Sequence, residues 1–193
     1  MSTTRILIGI AIAVLFQTAL LGHMVWTQIT LLSSPTEVVL KTIPIDPHDL
    51  FRGDYVILNY EISTFDNDKI NIPDTLRQGD NVFVVLDTSE TFATPVEMFP
   101  EAPISLAENQ AVILGEVSWV NLYQQEICDD CTKIIGVTYQ IDSYFVPEGT
   151  GTDLEKYRDE RALGVIVALN DEGDSAIKGL MIDGEKIYDE PLF

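Results

Sequence analysis

Histidine, cysteine and positive charge are all scarce in this chain. Its 193 residues include two histidines, two cysteines and 11 Lys+Arg against 31 Asp+Glu. One histidine, His23, falls inside a long apolar run, which leaves His48 as the imidazole available for proton transfer. No G-x-S-x-G elbow and no phosphate-binding glycine loop occurs, so a conventional hydrolase triad or nucleotide site has nothing to build on. The shortage of cations argues against nucleic acid and anionic lipid head groups as partners. Only Arg5 is charged before position 33, so the segment 33–193 carries a net charge of −21, a field that repels phosphate at long range. A solvated acidic surface accounts for this charge, and selective cation binding is the sharper alternative.

What the chain does have, first, is hydrocarbon. Residues 6–26 contain no charged side chain, and only Gln17, Thr18 and His23 interrupt the apolar run. At about 1.5 Å per helical residue this length crosses a hydrocarbon core of about 30 Å. A cleaved signal peptide competes with this reading, because Arg5 gives a short basic start. Such peptides have shorter apolar cores that end in small residues, whereas here the expected cut reads Thr18-Ala19-Leu20-Leu21-Gly22-His23-Met24. No cysteine follows the run closely enough for a lipid anchor. The expectation is a retained single-pass anchor in the lipid bilayer within residues 1–32, and one β-rich domain over 33–193. Arg5 precedes the span and the next basic residue is Lys41, so the positive-inside tendency places the amino terminus in the cytoplasm and the main domain in the periplasm or outside the cell. Gly9, Ala13 and Gln17 form a small or polar stripe suited to helix–helix contact, although ordinary lipid-facing sequence explains it as well.

The rest of the chain reads as strands. Segments 37–43, 55–63, 81–86, 111–123, 133–145, 163–170 and 177–183 are rich in Val, Ile, Tyr and Thr, and Pro, Gly and acidic residues separate them. In the 55–60 stretch, Val56, Leu58 and Tyr60 fall on one face and Tyr55, Ile57 and Asn59 on the other. Both faces are substantially apolar, which predicts a strand inside a barrel or sandwich. One α-helix is predicted, from the capping pair Thr152 and Glu155 to about Ala162, with Lys156, Arg158 and Arg161 balanced by Glu155, Asp159 and Glu160.

Candidate chemistry is thin. The acidic stretches Asp66-Asn67-Asp68-Lys69 and Asn170-Asp171-Glu172-Gly173-Asp174 lack the full alternating ligands of a calcium loop and read as turns. Cys128 and Cys131 flank two aspartates, as a small disulfide ring or as unpaired thiols; Asp129 and Asp130 disfavour the thiolate that redox catalysis needs. A zinc site would need about four ligands, and two cysteines plus a distant His48 fall short. No metal or cofactor is expected. The enzyme alternative pairs Ser33 or Ser34 with Lys41 in a Ser-Lys hydrolase of the signal-peptidase kind.

The octet from Gly53 to Tyr60 reads G-D-Y-x-x-L-x-Y. It is preceded by Pro44-Ile45-Asp46-Pro47 and Arg52, and later come Tyr144-Phe145-Val146-Pro147-Glu148-Gly149-Thr150-Gly151 with Leu154-Glu155, then Gly179-Leu180-Met181-Ile182-Asp183-Gly184. These blocks resemble those of the GDYXXLXY family of bacterial membrane-anchored proteins. His48 stands where that resemblance implies an arginine. The family brings no activity with it. Should Arg52, Asp54 and Glu148 converge, they would form a polar cluster able to hold a ligand or the end of a partner peptide, or a buried structural ion pair. The expected role is a non-catalytic interaction or accessory module serving another membrane protein, with the Ser-Lys hydrolase and a small-ligand or cation sensor as alternatives.

Overall fold

Apolar residues at alternate positions put Val38, Leu40 and Thr42 of strand β1 (Thr36–Ile43) inward and leave Glu37 and Lys41 facing out. The computed structural model describes residues 3–43, 55–123, 132–145, 163–182 and 184–189. Ahead of β1 runs a single helix, α1 (Thr3–Leu32). After it come β2 (Tyr55–Ile57), β3 (Asn59–Tyr60), a 3-10 turn (Glu61–Ser63), β4 (Thr64–Asp66), β5 (Asn81–Asp87), β6 (Thr94–Phe99), β7 (Gln110–Tyr123), β8 (Thr132–Thr138), β9 (Ser143–Phe145), β10 (Leu163–Leu169), β11 (Ser175–Ile182) and β12 (Glu185–Asp189). The expected mainly β body is therefore what the chain forms. The expected α-helix at 152–162 lies outside the described residues, as do Cys128 and Cys131.

Two five-stranded antiparallel sheets carry the body, in the orders β12-β11-β10-β1-β3 and β4-β8-β7-β5-β6, with a short β2-β9 ribbon beside them. They wrap one shared core as a half-open barrel. Leu40, Tyr60, Val165 and Leu180 from the first sheet pack in the same cluster as Val84, Ile113, Ile135 and Val137 from the second. Inside, the hydroxyl of Thr42 donates to the Leu163 carbonyl at 2.7 Å, so its burial costs no hydrogen bond. Outside, Lys178 meets Glu37 at 2.6 Å and Lys41 meets Glu61 at 3.6 Å; both are exposed enough for solvent to make each worth little.

The sheets are joined on both flanks. On one, the 3-10 turn carries the chain from β3 of the first sheet to β4 of the second. On the other, the turn between β10 and β11 reaches β7, where the Leu114 N–H donates to the Gly173 carbonyl at 2.8 Å. Gly173 has φ +88°, and a β-carbon there would stand 3.1 Å from the Leu114 backbone nitrogen. Only glycine satisfies both the backbone conformation and the approach.

The end of α1 is part of this body. Leu32 is buried and Ile29 and Leu31 are half-buried, the last turns lie against β10 and β11, and the Ser34 hydroxyl donates to the Leu169 carbonyl. Three residues, Ser33, Ser34 and Pro35, separate helix from strand. The remainder of α1 has no such cover: the described side chains from Leu7 to Gln28 are exposed, Trp26 at 71%.

Candidate functional site

The octet that dominates the sequence is described from Tyr55 onward. It does not continue as one strand. Tyr55, Val56 and Ile57 pair with Phe145, Tyr144 and Ser143 of β9, whereas Asn59 and Tyr60 pair with Ile43 and Thr42 of β1. Between them, the Leu58 N–H turns to the carbonyl of Asp142 at 2.8 Å. The stretch 55–60 thus passes from one strand partner to another, and Leu58 is the step. The expected alternation holds where side chains are described: Leu58 and Tyr60 are buried in the core and Asn59 is half-exposed.

Two tyrosines fasten this crossing. The Tyr60 hydroxyl donates to the Ile141 carbonyl at 2.6 Å, and the Tyr139 hydroxyl donates to the Ile62 carbonyl at 2.6 Å. Each segment, 60–62 and 139–141, supplies one tyrosine and one carbonyl to the other, so the two straps are reciprocal. Both rings are fully enclosed, and Gly115 makes room for one of them: a β-carbon at Gly115 would stand 2.9 Å from the Tyr139 ring and 2.4 Å from Val137. The Tyr60 N–H is held by the Ser63 hydroxyl at 3.2 Å, which closes the 3-10 turn locally.

Electrostatics at the crossing follow from burial. Desolvation pushes both tyrosine hydroxyls well above their ordinary value of 10.0, and the neighbouring Asp142 adds to the effect. The Asp142 carboxyl is itself raised from 3.8 by burial, against the opposing hydrogen bond from the Tyr139 N–H. Two neutral phenols bonded to backbone carbonyls hold no proton in transit at neutral pH. Chemically the arrangement is a clasp. Elsewhere, burial lowers the ammonium of Lys133, which donates to the Pro73 carbonyl at 2.9 Å and is drawn back up by Asp74.

The remaining sequence-derived candidates separate. Arg52, Asp54 and Glu148, and with them His48, lie outside the described residues. The Ser-Lys pair is not assembled: the Ser34 hydroxyl is spent on Leu169, Lys41 faces Glu61, and Ser33 and Ser34 precede a strand that advances about 3.3 Å per residue before reaching Lys41. The two acidic stretches are turns. Asn170 Oδ1 accepts from the N–H groups of Glu172 and Asp174 at 3.1 and 2.8 Å, and Asn170 Nδ2 donates to Asp174 at 3.0 Å. Asp66 Oδ1 likewise accepts from the Asp68 N–H at 3.0 Å. Among the described residues no group of three His, Cys, Asp or Glu side chains is placed to hold a metal ion.

A cleft of about 1330 Å³ opens where α1 meets the β body. One wall is the helix end and its exit, residues 26–35; the other is the turn carrying Gln140, Ile141 and Ser143 together with the β10–β11 turn. The tyrosine clasp therefore forms part of the floor on which the helix stands, since Ile141 both lines the cleft and accepts the Tyr60 bond. Sequence reasoning missed Tyr139, Asp142 and this cleft. Gln140 and Asp142 alternate with Tyr139 and Ile141 as in any half-buried strand, so no local signal marks the turn.

Comparison with curated proteins and with solved structures gives no match. The model of one protein family, described as GDYXXLXY protein, matches residues 17–180, from the second half of α1 to β11, and the chain belongs to that family.

Proposed function

We propose that the chain is a single-pass membrane protein, with its amino terminus in the cytoplasm and its β body on the far side of the membrane, and that this body is a non-catalytic interaction or accessory module for another membrane protein. The observation that carries this reading is the helix. Its apolar length is exposed from Leu7 to Gln28, while its last turns are packed into the β body. Exposed hydrocarbon on this scale is stable only in lipid or against another apolar surface. The exit is three residues long, so the body stays close to the end of the helix.

Two further features support the non-catalytic part. Leu58 and Tyr60 of the octet turn into the core, Leu58 at a strand step and Tyr60 at a clasp, so that this part of the motif builds architecture. The strongly acidic surface suits recognition of a basic or zwitterionic partner and repels an anionic one.

A photo-crosslinking residue at Ala13, on the exposed helix, and another at Glu185, on the exposed start of β12, tests the reading in native membranes. Discrete higher-mass adducts from either position, preserved after detergent extraction, are expected. Recovery of the uncrosslinked monomer alone from both positions would overturn the accessory role.

A further inference from the structure

The cleft beneath the helix stands at a defined height. If the uncharged run 6–26 fills the hydrocarbon, as the proposed anchor requires, Trp26 marks the outer boundary, where indole rings favour the interface. From Trp26 to Leu32 the helix climbs about 9 Å more at 1.5 Å per residue, and a head-group layer is about 5–8 Å thick on each side. Leu32 is already buried in the β body, and the Ser34 hydroxyl is bonded to Leu169. The helix wall of the cleft, residues 26–35, therefore starts at that boundary and rises through the head-group layer.

Its lining is suited to that layer. Thr27 and Thr30 spend their hydroxyl protons on the Met24 and Trp26 carbonyls of their own helix. Gln28, Ser33, Gln140 and Ser143 have no side-chain hydrogen bond among the described residues and remain available as donors on both walls. On the rim, Asn170 and Asp174 are occupied in building the β10–β11 turn, whereas the exposed carboxylates of Asp171 and Glu172 accept no hydrogen bond from any described residue. Neutral donors within and carboxylates at the edge complement a molecule with a phosphate and, a few bonds away, an ammonium.

Resting on the anchor reading, we infer that this cleft receives the head group of a zwitterionic aminophospholipid. The phosphate lies toward Gln28, Ser33, Gln140 and Ser143, and the ammonium toward Asp171 and Glu172. Charge complementarity selects the lipid: a phosphatidylglycerol head group offers no cation to the rim and meets a body of net charge −21. The interaction orients the body on the membrane as well as tethering it.

The test uses the full chain in nanodiscs of equal phosphatidylethanolamine and phosphatidylglycerol, released into native mass spectrometry. Retained phosphatidylethanolamine should exceed phosphatidylglycerol about tenfold, a difference of about 1.4 kcal/mol. In the Asp171→Asn/Glu172→Gln variant the ratio should fall severalfold toward the residual preference left by the remaining net charge, with Trp119 emission unchanged to show that the body is folded. Equal retention by the wild type, retention of neither lipid, or a preference undiminished in the variant would overturn the inference. A second measurement separates its failure from that of the anchor. In a Trp119→Phe background Trp26 is the remaining indole of two, and bromines placed high on the acyl chains should quench it. Quenching without lipid preference sinks the cleft alone, and absence of quenching sinks the anchor and the cleft with it.

Discussion

Replacing Tyr60 with Phe removes one oxygen from the clasp and leaves the ring. Because the side chain is fully enclosed, the aromatic volume and its contacts with the core persist, and no cavity term enters. What is lost is the 2.6 Å bond to the Ile141 carbonyl, and Ile141 is itself buried, so water has no route to replace the donor. A buried carbonyl stripped of its partner costs about 1–3 kcal/mol. With a urea dependence of about 2 kcal/mol per molar, a loss of about 2 kcal/mol lowers the midpoint by about 1 M. Urea unfolding of the detergent-solubilised chain, followed by Trp119 fluorescence, measures it. Tyr139→Phe should behave alike, because its bond to Ile62 has the same length and burial. Since both straps fix the same crossing, the double variant should depart from additivity by at least about 0.5 kcal/mol. A Tyr60→Phe midpoint within about 0.2 M of wild type would refute the claim that the octet's last residue is a structural clasp.

Three further outcomes follow from the same geometry. Both clasp phenols are raised by burial, so their contribution is complete below the ordinary tyrosine value of 10.0 and is lost as the pH rises beyond it. Absorbance titration near 295 nm should leave at least two of the seven tyrosines un-ionised until the β body unfolds; full ionisation of a folded chain would contradict it. Asp142 is raised from 3.8, so the carboxylate is the disfavoured form in the fold, and wild-type stability should decline as the pH climbs from that value through the raised one. Asp142→Asn keeps an oxygen for the Tyr139 N–H and should flatten this decline in urea midpoints measured from pH 4 to 8; an unchanged slope would count against it. Gly173→Ala forces a side chain onto a φ of +88° and a β-carbon to 3.1 Å from the β7 backbone. It should cost about 1–2 kcal/mol for the conformation alone and more for the displaced contact, with hydrogen exchange accelerating at Leu114; an unprotected Leu114 in the wild type would refute the closure.

Much of the body was legible because its strands are rich in Val, Ile, Tyr and Thr and are bounded by Pro, Gly and acidic turn residues. The expected segments 37–43, 81–86, 111–123, 163–170 and 177–183 coincide with β1, β5, β7, β10 and β11 to within two residues. Breaks within strands were not legible. The segments 55–63 and 133–145 each read as one unbroken strand, yet each divides where a backbone group leaves one partner for another, at Leu58 and at 139–142. Partner exchange is a long-range event that local alternation does not encode. The strands that went unseen are short or disguised. β4 has three residues, β6 contains Pro95 and a register shift against β5, and β12 is a charged edge; these features protect edges from pairing and also spoil the pattern by which strands are read.

The role of the octet was only half legible. Its alternation put Leu58 and Tyr60 on one face without showing which face meets the core, the carbonyl that Tyr60 holds lies 81 residues away, and its counterpart Tyr139 carries no motif of its own. The cleft was invisible for a related reason. Its walls come from the end of α1, a turn near residue 140 and the β10–β11 turn, and only the fold brings them together. The acids of the 170–174 stretch sit in a turn whose own hydrogen bonds consume Asn170 and Asp174.

The account depends most on α1 spanning a bilayer and holding the β body on its outer side. Protease added to right-side-out vesicles, with the fragments identified by mass, tests this directly. The account expects peptides from 33–193 to be released before lysis while a fragment containing Leu7–Leu32 stays with the membrane. Survival of the body until the vesicles are lysed would contradict it.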